Sequence, residues 1–176
     1  MFKLPETSNF SMNNYFHCLP DPQDLEESYS RCRLMGLPVE LSNPKKIISS
    51  ETLSPIIISN AHLINTVGCI IDSTILPEIK ECIFILCNPD LVALKIFAHP
   101  DVLDSAEKSG MKPGTVFTEE SCGTNALCLA KKHCKVVAIK SQDHYCNLFR
   151  HICCAASPVR DAAGNIPTFP YQHITR

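Results

Sequence analysis

The sequence predicts an α+β domain, with a central antiparallel sheet and helices laid against it. Apolar residues recur at three-four spacing from Leu53 to Ile71, the mark of an amphipathic helix with a wide apolar stripe. At Glu81 the pattern changes to two short β-branched and aromatic runs around Asn88-Pro89-Asp90, which reads as a hairpin. A helical stretch and further short strand-like runs follow. Helices come first and strands later, an order that describes an antiparallel sheet flanked by helices.

The chain has 176 residues, 45% hydrophobic and 19% charged, the size of a single domain. Residues 1–23 are polar, rich in asparagine and punctuated by proline, and are expected to form a flexible arm before a folded unit over 24–176. Asp24 to Leu37 predicts a first helix, with Leu25, Tyr29 and Cys32 on one face and Gly36 and Pro38 as its stop. Ser42 to Ser49 reads as a linker. Glu51 to Ile75 predicts one long helix or two in tandem, with Pro55 in its first turn. The hairpin then spans Glu81–Cys87 and Leu91–Ala98. His99 to Met111 predicts a helix ending near Gly110, and Lys112 to Ser121 a loop. Gly123 to Cys134 predicts a helix opened by Thr124 or Ser121 and closed by Lys131, Lys132 and His133 at the negative end of the dipole. Short strands are expected at Lys135–Lys140 and His151–Arg160. A turn follows at Asp161-Ala162-Ala163-Gly164-Asn165.

The net charge is −2 and basic residues occur only as short pairs, so direct binding to nucleic acid is not expected. No apolar run approaches the roughly 20 residues that span a bilayer, and no secretory signal is visible. The expected location is the cytoplasm, without a membrane partner. Eleven cysteines are an odd number for a disulfide framework, and they read as reduced, buried thiols. No Gly-x-Ser-x-Gly, His-Glu-x-x-His or phosphate loop occurs, and the chain is not expected to be an enzyme.

Four stretches, in order, resemble the N-terminal GAF sensor region of acetoin-regulator-type activators, which work with the sigma-54 form of RNA polymerase. They are Ser28-Tyr29-Ser30-Arg31-Cys32-Arg33 leading to Gly36-Leu37-Pro38, the run from Glu119 to Ala130, Asp143-His144-Tyr145, and the run from Cys154 to Ile166. The resemblance implies a GAF-like fold, with long N-terminal helices on one face of the sheet, often used to dimerise, and a ligand pocket on the other. It implies a signal-sensing regulatory domain that binds a small-molecule effector or a partner protein and relays this through a homodimer. Polymerase and DNA would be reached only through domains absent from this chain. The sequence departs from the family at Cys128, where glycine is usual, at Asp143, where glutamate is usual, and at Pro167 and Pro170. Because proline cannot donate to a ladder, the segment around Pro170 is expected to be an edge strand or no strand.

The candidate ligand site is Cys122, Thr124, Asn125, Cys128, His144, Tyr145 and Cys154. A helix beginning near Gly123 would present free N–H groups to a carboxylate, carbonyl or hydroxyl, although Thr124 and Asn125 equally suit a local cap. Thr124 and Cys128 stand four apart and would share a face of that helix. His144 and Tyr145 would either donate to a ligand or hold their own loop. No cofactor is expected. The alternative is a thiol-redox or metal/haem sensor on the same fold, its metal held by His144, Cys146, His151 and Cys153. However, no cysteine pair has the two-residue gap typical of a knuckle. Leu127, Ala130 and Cys134 would share a face, which makes Cys134 a core residue. Cys153 and Cys154 would face opposite sides of the sheet, as would Cys82 and Cys87.

Overall fold

The computed structural model describes residues 17–78 and 81–160, with the backbone of 169–174. Most of the expected arm and the turn at Asp161–Asn165 lie outside these residues. Helix α1 (Pro22–Leu34) opens on Asp21, whose carboxylate accepts the Gln23 N–H at 2.9 Å, with a proline where no N–H is needed. It closes as Gly36 takes φ +65 and the Leu37 N–H donates to the Cys32 carbonyl at 3.0 Å.

The stripe from Leu53 to Ile71 forms two helices, α2 (Ser50–Ser59) and α3 (Ala61–Ile70), the latter continuing into a π-helical turn at Ile71–Ile75. The break falls at Asn60, whose side-chain amide donates to the Ile56 carbonyl at 2.8 Å, and the two axes differ by 77°. Pro55 lies in the second turn of α2 and not the first, because Ser49 caps the helix further upstream. Among the described residues no single helix is long and apolar enough to cross a membrane.

Strands β1 (Cys82–Cys87) and β2 (Ala93–Ala98) form the expected hairpin. Helices α4 (Pro100–Lys108), α5 (Glu119–Cys122) and α6 (Ala126–His133) follow, then β3 (Val137–Ile139), β4 (Cys153–Ala156) and β5 (Phe169–Ile174). The sheet is antiparallel, with order β2-β1-β5-β4-β3. All six residues of β1 are buried because both of its faces are covered. Ile83, Ile85 and Cys87 enter the main core with Leu127, Leu129, Phe117 and Phe149. Cys82, Phe84 and Leu86 enter a second core with Ile64, Ile71, Leu94 and Phe97 beneath α2 and α3. Cys82 and Cys87 thus face opposite sides, as their alternation requires.

Helix α1 does not share a face with α2 and α3. Its Leu25, Tyr29 and Cys32 pack into the main core on the side of α4 and α6. The segment expected as a plain linker carries the chain between faces. The Ile48 N–H donates to the Gly114 carbonyl at 2.9 Å and the Val116 N–H to the Lys46 carbonyl at 3.0 Å. The loop held this way pairs in turn with the start of β2, through the Ala93 N–H to the Thr115 carbonyl at 2.8 Å, so it covers the first residue of that edge of the sheet.

Pro170, expected in an edge strand or no strand, lies in a central strand. It stands opposite Leu86 on β1 but one residue beyond Tyr171, where pairing with β4 ends. Strand β5 is therefore flanked on both sides over Tyr171–Ile174 and on one side only where the proline falls.

Candidate functional site

The side chains around Glu119 form a connected polar cluster between α1, α5 and the start of α6. Ser28, Arg31 and Cys32 stand on one face of α1, at spacings of three and four. Arg31 grips Glu119 with two bonds of 2.7 Å, Nε to Oε2 and a terminal guanidinium nitrogen to Oε1. The Ser28 hydroxyl donates to the same carboxylate at 2.5 Å and lies 2.7 Å from the Thr124 hydroxyl, which is also 3.7 Å from the Cys32 thiol. Further along, Lys132 of α6 reaches Glu27 at 2.7 Å and Asp24 at 3.6 Å, and His133 reaches Asp24 at 3.2 Å. Charged pairs therefore fasten α1 to α5 and α6 along this side.

Beside that seam lies an open cleft of about 400 Å³. Arg31, Glu119, Thr118, Lys131 and Lys132 form its walls, and Leu91 and Cys128 line its apolar part. Leu91 holds φ +60 at the end of the hairpin turn, a conformation that costs a branched residue on the order of 1–2 kcal/mol.

Of the seven residues expected to form the ligand site, only Cys128 lines this cleft. Helix α6 is capped by Asn125, whose side chain accepts the Cys128 N–H at 3.1 Å and donates to the Phe117 and Gly123 carbonyls. Thr124 therefore precedes the helix, does not share a helical face with Cys128, and turns instead to α1. Gly123 takes φ +74 so closely packed that a Cβ there would lie 2.7 Å from the Cys146 sulfur. Cys122, Thr124 and Asn125 are fully buried with internal partners.

The Asp143-His144-Tyr145 stretch is likewise engaged within the protein. The Tyr29 hydroxyl donates to the Asp143 carbonyl at 2.7 Å, and the Tyr145 hydroxyl donates to the Leu37 carbonyl at 3.2 Å. His144 Nδ1 lies 3.1 Å from the Ser141 carbonyl, so it carries the proton, and buried Nε2 has no hydrogen-bond partner among the described residues. Burial pulls the imidazole down to about 4, which keeps it neutral near pH 7. Cys154 faces the main core with Ile152 and Ala156, while Cys153 lies on the other side and is half-buried.

His144, Cys146, His151 and Cys153 do not converge. Among the described residues no three His, Cys, Asp or Glu side chains are placed to hold one metal ion. Burial pushes the Cys122 and Cys146 thiols up to about 12 and raises Cys32, Cys87 and Cys128. These are thiols at neutral pH, and it is the thiolate that reacts. Cys134 is exposed and not a core residue, because α6 ends at His133 and Cys134 takes φ +51 as its left-handed cap. The reading from sequence missed Arg31 and Glu119 as partners. Both stand in the family-like motifs, and the shared face of Ser28, Arg31 and Cys32 was the available signal.

No protein-family model matches the chain. It is 27% identical over 145 residues to the acetoin dehydrogenase operon transcriptional activator AcoR of Bacillus subtilis, covering 81% of this chain and 24% of that protein. It is 26% identical over 144 residues to a signal-transduction and transcriptional-control protein of Clostridium beijerinckii, covering 81% of this chain and 23% of that protein. The chain thus spans about a quarter of the length of the curated relatives it matches. A chain in the crystal structure of the E. coli DhaR(N)–DhaL complex shares the fold with a TM-score of 0.75, at 20% identity over 86% of this chain and 51% of that one. The resemblance to acetoin-regulator-type transcriptional activators, first read from four short motifs, therefore holds across four fifths of the chain.

Proposed function

We propose that this chain is a GAF-type sensor region of a transcriptional activator that reads a signal at the α1–α6 cleft. The observation that carries this is the continuous similarity to two transcriptional control proteins over 81% of the chain. The open cleft beside the α1 seam supports this reading. Helix α1 is fastened by exposed and half-buried ion pairs, which are individually weak and can be exchanged for a ligand's charges. In this reading the relay runs through α2 and α3 to a second copy. Polymerase of the sigma-54 type would be engaged by other parts of such an activator.

A partner protein is a second form of the signal, favoured by the likeness to a structure determined as a DhaR(N)–DhaL complex. Both forms are tested by a chimera in which this chain replaces the matching region of the Bacillus subtilis activator, with a promoter reporter as output. Signal-dependent output that changes on Glu119→Gln is the expected result. Output equal to that of the activator lacking this region would overturn the proposal.

A further inference from the structure

Resting on the reading of the cleft as a signal site, we infer that its ligand is a small organic monocarboxylate that competes with Glu119 for Arg31. Three cations reach the cleft, from Arg31, Lys131 and Lys132. Arg31 is taken by Glu119, and Lys132 by Glu27 and Asp24. Lys131 has no carboxylate partner among the described residues. The cleft therefore offers one free positive charge and a second that a ligand can share.

Leu91 and Cys128 add an apolar lining to the same cleft. Leu91 is held there by a left-handed backbone, and the Cys128 thiol already donates to the Phe117 carbonyl at 3.0 Å, which leaves it little capacity for a polar ligand. A carboxylate head with a short hydrocarbon body matches both kinds of lining, and about 400 Å³ is ample for roughly ten heavy atoms.

The same cations bind the ligand and hold α1. Arg31 and Lys132 stand in the cleft wall, and their present partners Glu119, Glu27 and Asp24 form the seam between α1 and the body. A ligand carboxylate that takes a donor from Arg31 weakens the grip on Glu119. Ligand binding and α1 docking are then negatively coupled, and the coupling is reciprocal.

Hexanoate titrated into the full 176-residue chain and followed by NMR is a direct test. Saturable binding is expected, at least tenfold tighter than that of hexanamide, which lacks the charge, or of acetate, which lacks the body. Lys131→Gln should weaken hexanoate at least fivefold. Glu119→Gln should tighten it at least threefold by freeing Arg31, and the exposed change Glu27→Gln should act in the same direction through Lys132. Amide exchange in α1 should quicken at saturation. Hexanamide binding as well as hexanoate, an unchanged affinity in Lys131→Gln, or α1 amides that slow on binding would each overturn the inference. A chimera that still responds to its signal while hexanoate fails to bind would leave the sensor reading standing and remove this one.

Discussion

At the scale of single residues, His144 and Gly123 carry the sharpest consequences. The folded imidazole titrates at about 4, against roughly 6.5 in an unfolded chain. The unfolded state therefore binds the proton first. His144's contribution is intact above about pH 6.5 and is lost as pH falls toward 4, at about 1.4 kcal/mol per pH unit. Urea titrations at pH 7 and pH 5 should show the parent losing about 2 kcal/mol more than His144→Gln between the two. An equal loss in both would mean that the ring is not buried neutral. Gly123 faces two penalties at once, a φ of +74 and a Cβ 2.7 Å from the Cys146 sulfur. Gly123→Ala should cost about 2–4 kcal/mol by thermal unfolding, and adding Cys146→Ala should restore only the part due to collision.

At the scale of elements, α1 adds charged pairs to its apolar packing, whereas α2 and α3 rest on apolar contact. The Arg31–Glu119 pair is bidentate, but the arginine side chain is 39% exposed and the glutamate 15%. Arg31→Gln should accordingly cost about 1–2 kcal/mol and speed amide exchange in α1 before other elements. On the other face, α2 has no fully buried residue, and Ile58 is 75% and Ile70 45% exposed. Ile64 by contrast is buried in the second core with Phe84 and Phe97. If a second copy covers this face, as the sensor reading has it, Ile58→Glu should yield monomer by light scattering with its circular dichroism unchanged. Ile64→Glu should unfold the domain instead, since it places a charge in a core. A parent protein that is already monomeric at micromolar concentration would remove the dimer from the proposal.

At the scale of the whole molecule, two cores on either side of one sheet carry the stability. Among the described residues none of the eleven cysteines forms a disulfide. An excess of reductant should therefore leave the melting temperature within a few degrees of its starting value. A large fall would place an essential disulfide in a protein whose core does not call for one. Most of the thiols fill space as small apolar groups, as the odd count and their spacing first indicated.

The α+β class, the hairpin around Asn88-Pro89-Asp90 and the opposite facing of Cys82 and Cys87 were all legible in the chain. Each rests on local periodicity or turn chemistry, which acts over a few residues. The likeness to transcriptional activators was legible for a similar reason, since its motifs are short and their order survives. What the local pattern does not say is which surface buries an apolar face. Nothing near α1 indicates that it packs on the side opposite α2 and α3. Nothing near Pro170 indicates that its strand pairs with β4 only beyond the proline. The site was least legible of all. Arg31 and Glu119 stand 88 residues apart, and the cleft draws on α1, the hairpin turn and α6 together. A helix cap such as Asn125 can be inferred from its neighbours, but a contact across the fold exists only once the sheet has set the distance between its parts.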